Sequence, residues 1–138
     1  MYIIPFEMVD PIPFQFPEVY GGLADSEGLL SISSDVLTLE FQIKDGLIGA
    51  FKSRVKKVEL PFDQIREVQL QSNMLGTNLT VVADSIQLVE DVPNAKQGEF
   101  KVKFPRSHRK EAATLAREAS VRVSQNKIDR LDRVLDSE

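Results

Sequence analysis

The sequence contains no cysteine and only one histidine, His108. Without cysteine, the chain has no disulfide, no thiol nucleophile and no cysteine metal site. A single histidine excludes a metal site built on a histidine pair, and Ser107 beside it does not form a nucleophile–base pair. The i, i+3 spacing of His108 and Glu111 is only a weak metal signal, so we expect an exposed surface histidine.

Long apolar runs and phosphate-binding glycine motifs are also missing. No run approaches the roughly 20 apolar residues of a membrane-spanning helix. The N-terminus has no basic region and no small-residue cleavage site, so we expect no signal peptide. Gly46 and Gly49 are too few for a phosphate-binding loop. No catalytic carboxylate pair stands out. We therefore expect a protein without catalytic residues, metal or cofactor, located in the cytoplasm or peripheral to the inner membrane face.

The basic residues are concentrated in two blocks of an acidic chain. The 138 residues carry a net charge of -4, with 42% hydrophobic and 28% charged residues, which is typical of one globular domain. Residues 44–57 hold five basic residues against one acidic, and residues 101–138 hold ten against six. The overall acidity argues against nucleic-acid binding. The two blocks leave open a local contact with an anionic surface or an acidic partner.

Residues 1–18 form a leader rich in proline and phenylalanine. Proline at this density favours extended chain and excludes helix. The leader also carries apolar side chains that do not suit a solvated tail, namely Phe6, Ile12, Phe14 and Phe16. We expect it to pack along the domain surface or a sheet edge, with partner binding as the alternative.

Between residues 19 and 104 apolar and polar residues alternate. The alternation is clearest in residues 36–44 and 100–104, and it predicts half-buried antiparallel strands. Turn residues separate the runs at 25–28, 34–35, 61–63, 76–78 and 97–98. With residues 19–24 counted as the first strand, seven short strands result, which favours a barrel or a sandwich. Residues 84–93 form either one helical turn capped by Asp84 or an irregular excursion.

The periodicity becomes helical after Pro105, with Ser107 as a suitable N-cap. One apolar face is predicted to lie on the sheet; it consists of Ala112, Leu115, Ala116, Ala119 and Val123. The helix is predicted to continue to about Val134. We therefore divide the chain into a leader (1–18), a domain (19–123) and a distal helical extension (124–138).

The distal part of the helix carries a second apolar stripe. It consists of Val121, Ile128, Leu131 and Leu135. At about 100° per residue, this stripe lies well over a quarter-turn from the first one, so a straight helix cannot press both onto the same domain. Either the chain bends near residues 124–126 or the stripe meets another surface. The seven-residue spacing is coiled-coil-like. Self-association and folding back onto the domain are the two alternatives.

The order of elements resembles bacterial pleckstrin-homology-like (PH-like) domains. The matching features are Gly28-Leu29-Leu30, Leu37-Thr38-Leu39-Glu40-Phe41, Lys44-Asp45-Gly46-Leu47-Ile48-Gly49, Val58–Ile65 and Ser85–Val89 before Val92-Pro93. The resemblance covers about residues 19–123. It implies an antiparallel barrel of about seven strands capped by one C-terminal helix, and a role in binding or scaffolding. In members that bind phosphoinositides, the first strand–strand loop is basic; residues 24–28 here are acidic, which argues against that lipid site.

Residues 45–54 are the strongest candidate for a partner or membrane contact. A loop between strands is expected to be polar, yet this one offers Leu47, Ile48 and Phe51. It is flanked by basic residues, including Lys52, Arg54, Lys56 and Lys57. An apolar tip with a basic collar suits a protein partner or an anionic membrane surface. Alternatively, the apolar residues fold inward and extend the core.

The second basic block opens the C-terminal helix with Arg106, Arg109 and Lys110. Cations and free backbone N–H groups at a helix N-terminus could hold an anion. We favour the alternative that nearby carboxylates, such as Glu111, neutralise them. The sequence as a whole predicts a non-enzymatic module that binds a protein partner or a second copy. Peripheral membrane association is the second interpretation, and a small-molecule binder or enzyme built on a barrel mouth is the third.

Overall fold

The structure is mainly β, with two antiparallel sheets and one C-terminal helix. It is a computed structural model that describes residues 10–17, 24–45, 54–74 and 76–136. The first sheet contains β1 (Ile12–Phe14), β2 (Ala24–Ile32), β3 (Val36–Asp45) and β4 (Lys56–Pro61) in that order. The second contains β5 (Ile65–Asn73), β6 (Gly76–Ala83) and β7 (Glu99–Phe104). The helix α1 covers Arg109–Asp136.

The period-two alternation of the sequence corresponds to buried strand faces. In β3, Leu37, Leu39, Phe41 and Ile43 are all buried. In β7, the buried side chains are Phe100, Val102 and Phe104, and the residues between them are exposed. Successive side chains of a strand point to opposite faces, so one face of each sheet meets the core. The predicted strands at 36–44 and 100–104 are confirmed.

The leader contributes a strand and part of the core. Strand β1 pairs with β2 at the edge of the first sheet, with Phe14 opposite Gly28. Phe14 and Phe16 are buried, and Phe16 contacts Phe41 edge-on with ring centroids 4.9 Å apart. The buried Phe16 N–H donates to the Ser26 hydroxyl at 2.7 Å. The residues from Ile12 to Phe16 therefore pack structurally, as predicted, rather than lying apart from the domain.

The turn predicted at residues 25–28 is wrong, because these residues lie inside β2. Glycine at position 28 suggested a turn, but the structure gives it a packing role. A Cβ at this position would lie 2.5 Å from Phe14 Cζ and 2.8 Å from the Glu40 carbonyl oxygen. Residues 24–28 therefore do not form the acidic loop that was expected to exclude a phosphoinositide site. The β2–β3 connection is Ser33-Ser34-Asp35, which contains no basic residue either.

The two sheets meet at one edge but do not close into a barrel among the described residues. Gln15 N–H donates to the Lys103 carbonyl at 2.9 Å, and Lys103 N–H donates to the Gln15 carbonyl at 2.7 Å. This isolated bridge joins the end of β1 to β7. At the other edge, a 3-10 turn at Phe62–Gln64 leads from β4 to β5. Two sheets linked in this way enclose a shared core without continuous strand pairing.

Residues 84–93 contain a 3-10 helix, Ile86–Val89. The capping side chain is Ser85, whose hydroxyl accepts from Gln87 N–H at 3.2 Å, and not Asp84 as predicted. Val89 and Val92 are buried, so the excursion covers one side of the core. The positive φ values of Gln97 (55°) and Gly98 (85°) mark the predicted turn before β7.

The C-terminal helix lies against the second sheet, contacting mainly β5 and the Phe62–Gln64 turn. A 3-10 turn at Arg106–His108 precedes α1, so Ser107 lies within this turn instead of capping the helix. The five residues of the predicted packing face are all buried, which confirms that face. In the described parts of the chain, no helix is both long and apolar enough to cross a membrane.

Candidate interaction surface

The distal stripe (Val121, Ile128, Leu131 and Leu135) lies on the solvent-exposed side of α1. The helix continues without interruption for 28 residues, from Arg109 to Asp136 and through residues 124–126. The four side chains are between 52% and 65% exposed. The helix does not break at residues 124–126, and the stripe does not fold back onto the domain, so the four side chains are not buried in either way. Large aliphatic side chains at such exposure form an apolar patch that water solvates poorly.

The two apolar faces of α1 point in nearly opposite directions. The packed face is centred near Ala119 and includes Ala112 and Val123, which are buried. At 100° per residue, the centre of the distal stripe lies about 150° around the helix from that face. The domain therefore occupies one side of the helix and leaves the other accessible to a partner.

Val134 is exposed as well, but it lies outside the distal stripe. Its side chain is 58% exposed, comparable with the stripe itself. At 100° per residue, Val134 lies about 105° around the helix from the centre of the stripe and only about 45° from the centre of the packed face. Adjacent residues of a helix do not share a face, so its position next to Leu135 does not make Val134 part of the stripe.

Arg130 holds the distal part of α1 against the domain. One Nη donates to the Asp63 carbonyl oxygen in the turn before β5. The same nitrogen lies 3.8 Å from an Asp84 carboxylate oxygen, and the other oxygen of that carboxylate lies 3.8 Å from Arg66 Nε. Arg130 falls on the packed side of the helix, continuing the line of Ala112 and Ala119. These contacts orient the helix so that the distal stripe faces away from the sheets.

Replacing Arg130 with alanine should loosen the distal part of α1 without unfolding the domain. The ion pair is partly exposed, so the free energy of unfolding should fall by less than about 1 kcal/mol. Amide hydrogen exchange at residues 127–135 should accelerate by up to about fivefold, while residues 112–123 remain protected by packing. Arg133→Ala is the matched control, since Arg133 contacts the Asp129 carbonyl of its own helix. Equal exchange in both variants would contradict the anchoring role of Arg130.

The basic–apolar loop is described only at its C-terminal end. Leu47, Ile48, Phe51 and Lys52 lie outside the described residues. Arg54, Lys56 and Lys57 are exposed, and Lys57 Nζ lies 3.4 Å from a Glu59 carboxylate oxygen. Val55 between them is 60% exposed and was not among the predicted contact residues. The described end of the loop thus presents cations around one apolar side chain.

The basic residues at the start of α1 differ in the contacts that they make. Arg106 Nη2 donates to the Met74 carbonyl at 2.6 Å, in the connection between β5 and β6. Arg109 and Lys110 are exposed. His108 Nδ1 lies 4.0 Å from a Glu111 carboxylate oxygen. Glu111 therefore faces the histidine, and Arg106 is directed to the Met74 carbonyl.

An open groove of about 660 Å³ borders the first sheet. Its lining includes Leu29 and Val55 together with Glu27, Glu40 and Lys103. The volume falls within the range of small-molecule sites, but the groove is open and charged groups of both signs line it. Within the described ranges, no three histidine, aspartate or glutamate side chains come together as a metal site.

We compared the chain with protein-family models, with curated proteins and with solved structures, and none of the three comparisons found a match.

Proposed function

We propose that this protein is a non-enzymatic binding and scaffolding module that associates through the distal stripe of α1. The observation that carries the proposal is the exposure of Val121, Ile128, Leu131 and Leu135 along one face of an uninterrupted helix. Arg130 and the packed face hold this helix against the domain, so the stripe faces away from the core formed by the described residues. A protein contact, including a second copy of the chain, would remove it from water.

The energetics favour a weak to moderate complex. Full burial of one aliphatic side chain stabilises by roughly 1.5–3 kcal/mol. Four such side chains on each of two copies provide a substantial apolar contribution, which is reduced by the entropy lost on association. The interface extends over only two heptads, and two-stranded coiled coils of this length are marginal without further contacts. We therefore expect association in the micromolar range.

We further propose that the domain is PH-like, with the two sheets acting as a flattened barrel. Two features support this. Strands β1 to β4 and β5 to β7 form successive antiparallel sheets, and the terminal helix packs beside the second one. A fold does not confer a function, so the binding role depends on the helix surface and not on the resemblance.

Sedimentation equilibrium on the purified chain tests the proposed association. The weight-average mass should rise from that of a 15.5 kDa monomer toward a dimer as the concentration increases. The protein concentration should extend from about 1 µM to about 500 µM, a range that brackets a micromolar dissociation constant. A mass that stays at the monomer value throughout would contradict the self-association form of the proposal.

A second candidate function is peripheral association with an anionic membrane surface through residues 45–54. The supporting observation is the exposure of Arg54, Val55 and Lys56 at the described end of this loop. Each basic side chain next to an anionic bilayer contributes about 1 kcal/mol to the free energy of membrane binding. An exposed apolar side chain strengthens binding further by inserting into the bilayer surface.

Reversing two of these charges should release the protein from vesicles. In a sedimentation assay with phosphatidylserine-containing vesicles, the double variant Arg54→Glu/Lys56→Glu should bind at least about tenfold more weakly than the unaltered chain. Lys96→Glu, at an exposed position outside the loop, is the matched control and should bind almost normally. If the unaltered chain stays in the supernatant with these vesicles, the membrane function fails.

A further inference from the structure

The distal stripe follows the pattern of a two-stranded parallel coiled coil. Val121, Ile128 and Leu135 are spaced by seven and occupy the first core position of successive heptads, while Ser124 and Leu131 occupy the second. Branched side chains such as Val121 and Ile128 at the first position, with leucine at the second, favour two parallel strands. Ser124 is the one polar side chain in this seam.

Charged residues of opposite sign flank the stripe at the positions that meet across a parallel pair. Lys127 precedes Ile128, and Asp132 follows Leu131. In a parallel, in-register dimer, the residue before a first core position faces the residue five places later in the other copy. Lys127 of each copy would therefore face Asp132 of the other. Both side chains are exposed, and neither forms an ion pair within the described residues.

We propose, building on the association proposed above, that the occupant of the distal stripe is a second copy of this chain, parallel and in register, with Lys127 of each copy paired to Asp132 of the other.

The antiparallel alternative lacks this charge complementarity. An antiparallel pairing that places Ile128 opposite Leu131 sets Lys127 beside Val134 of the other copy and Asp132 beside Gln125. Neither contact joins opposite charges. The parallel arrangement brings together two oppositely charged pairs at once, and such flanking pairs set orientation and partner choice in coiled coils.

The fold permits the parallel arrangement and also limits its length. The packed face of α1 lies about 150° from the stripe, so the two domains would stand on the outer sides of the helix pair. Toward the N-terminus, Arg117 occupies the next core position and is exposed. In a parallel pair it would face its own counterpart, and like charges repel. The contact therefore begins at Val121.

Charge exchange tests the proposed orientation. Lys127→Glu places glutamate opposite Asp132 at both pairs, and Asp132→Lys places lysine opposite Lys127. Each variant alone should dimerise about tenfold more weakly than the unaltered chain. An equimolar mixture of the two variants should form a heterodimer of nearly unaltered strength, since both pairs again join opposite charges. Variants that self-associate as well as the unaltered chain, with no preference for the heterodimer, would overturn the parallel register.

Cysteine cross-linking provides an independent measurement, because the natural chain contains no cysteine. Ser124→Cys should form a disulfide-linked dimer under mild oxidation, since position 124 faces its counterpart in a parallel pair. In the antiparallel pairing, position 124 would face Leu135 and lie about 16 Å along the axis from position 124 of the other copy. Arg133→Cys, on the outer side of the pair, is the matched control and should not cross-link.

The two proposals fail differently in these measurements. If the unaltered chain remains monomeric at every concentration, the association itself is contradicted. If it dimerises but Ser124→Cys does not cross-link and the charge variants behave normally, association stands and only the parallel, in-register arrangement is contradicted.

Discussion

Replacing Leu131 with glutamate should make the protein monomeric under conditions where the unaltered chain associates. Leu131 lies in the middle of the distal stripe and is 62% exposed in the single chain, so the substitution should leave the fold unchanged. In a dimer, two glutamates would replace two buried leucines. Loss of apolar burial and desolvation of the carboxylates should raise the dissociation constant at least about 100-fold.

Met74→Glu is the matched control for this experiment. Among the described residues, Met74 is the most exposed large apolar side chain, at 89%, and it lies in the turn between β5 and β6 instead of on α1. This variant should associate as the unaltered chain does, because it adds the same charge away from the stripe. Both variants should keep the thermal midpoint of the monomer. Equal dissociation constants for Leu131→Glu and the unaltered chain would remove the distal stripe as the interface.

Replacing Gly28 with alanine should destabilise the fold by about 3 kcal/mol, although alanine is a better strand residue than glycine. The added methyl group would lie 2.5 Å from Phe14 Cζ, 2.6 Å from Phe14 Cε1 and 2.8 Å from the Glu40 carbonyl oxygen. Phe14 is 2% exposed and packs on Phe16, so its ring has little space to move. The strands must separate or the ring must leave its position. Urea denaturation measures the change in the free energy of unfolding.

A double-mutant cycle with Phe14→Leu locates the source of this destabilisation. Leucine removes the ring atoms that meet the new methyl group, so Gly28→Ala should be clearly less costly in the Phe14→Leu background. Glu27→Ala, at the adjacent outward-facing position, is the control for general strand effects and should change the stability by no more than about 0.5 kcal/mol. If Gly28→Ala is as stable as the unaltered protein, the close packing of Phe14 on this strand is contradicted.

Local patterns of the sequence predicted a large part of the fold. The alternation at 36–44 and 100–104 identified β3 and β7, since a half-buried strand needs apolar residues at every second position. The helical spacing of Ala112, Ala119 and Val123 identified the packed face of α1. These predictions depended only on neighbours along the chain, so they did not require knowledge of which segments meet.

Predictions that depended on distant contacts were less successful. Gly28 was assigned to a turn because glycine is common there, while its actual role is to admit the ring of Phe14 from a strand 14 residues earlier. The strand Ile12–Phe14 was not predicted, whereas most of the strand predicted at residues 19–24 lies outside the described residues. Arg130 was overlooked, because its partners Asp63 and Asp84 are far away in sequence.

The sequence by itself determined the sheet-then-helix order, the faces of the best-patterned strands and the existence of a second apolar stripe on the helix. Each follows from the period at which apolar side chains recur, and that period is a property of adjacent residues. Only the tertiary structure decided that the stripe is exposed, since this depends on an uninterrupted helix whose opposite side lies on the second sheet. It also decided that residues 12–16 of the leader belong to the core, because the pairing of β1 with β2 and the bridge from Gln15 to Lys103 join residues far apart in the chain.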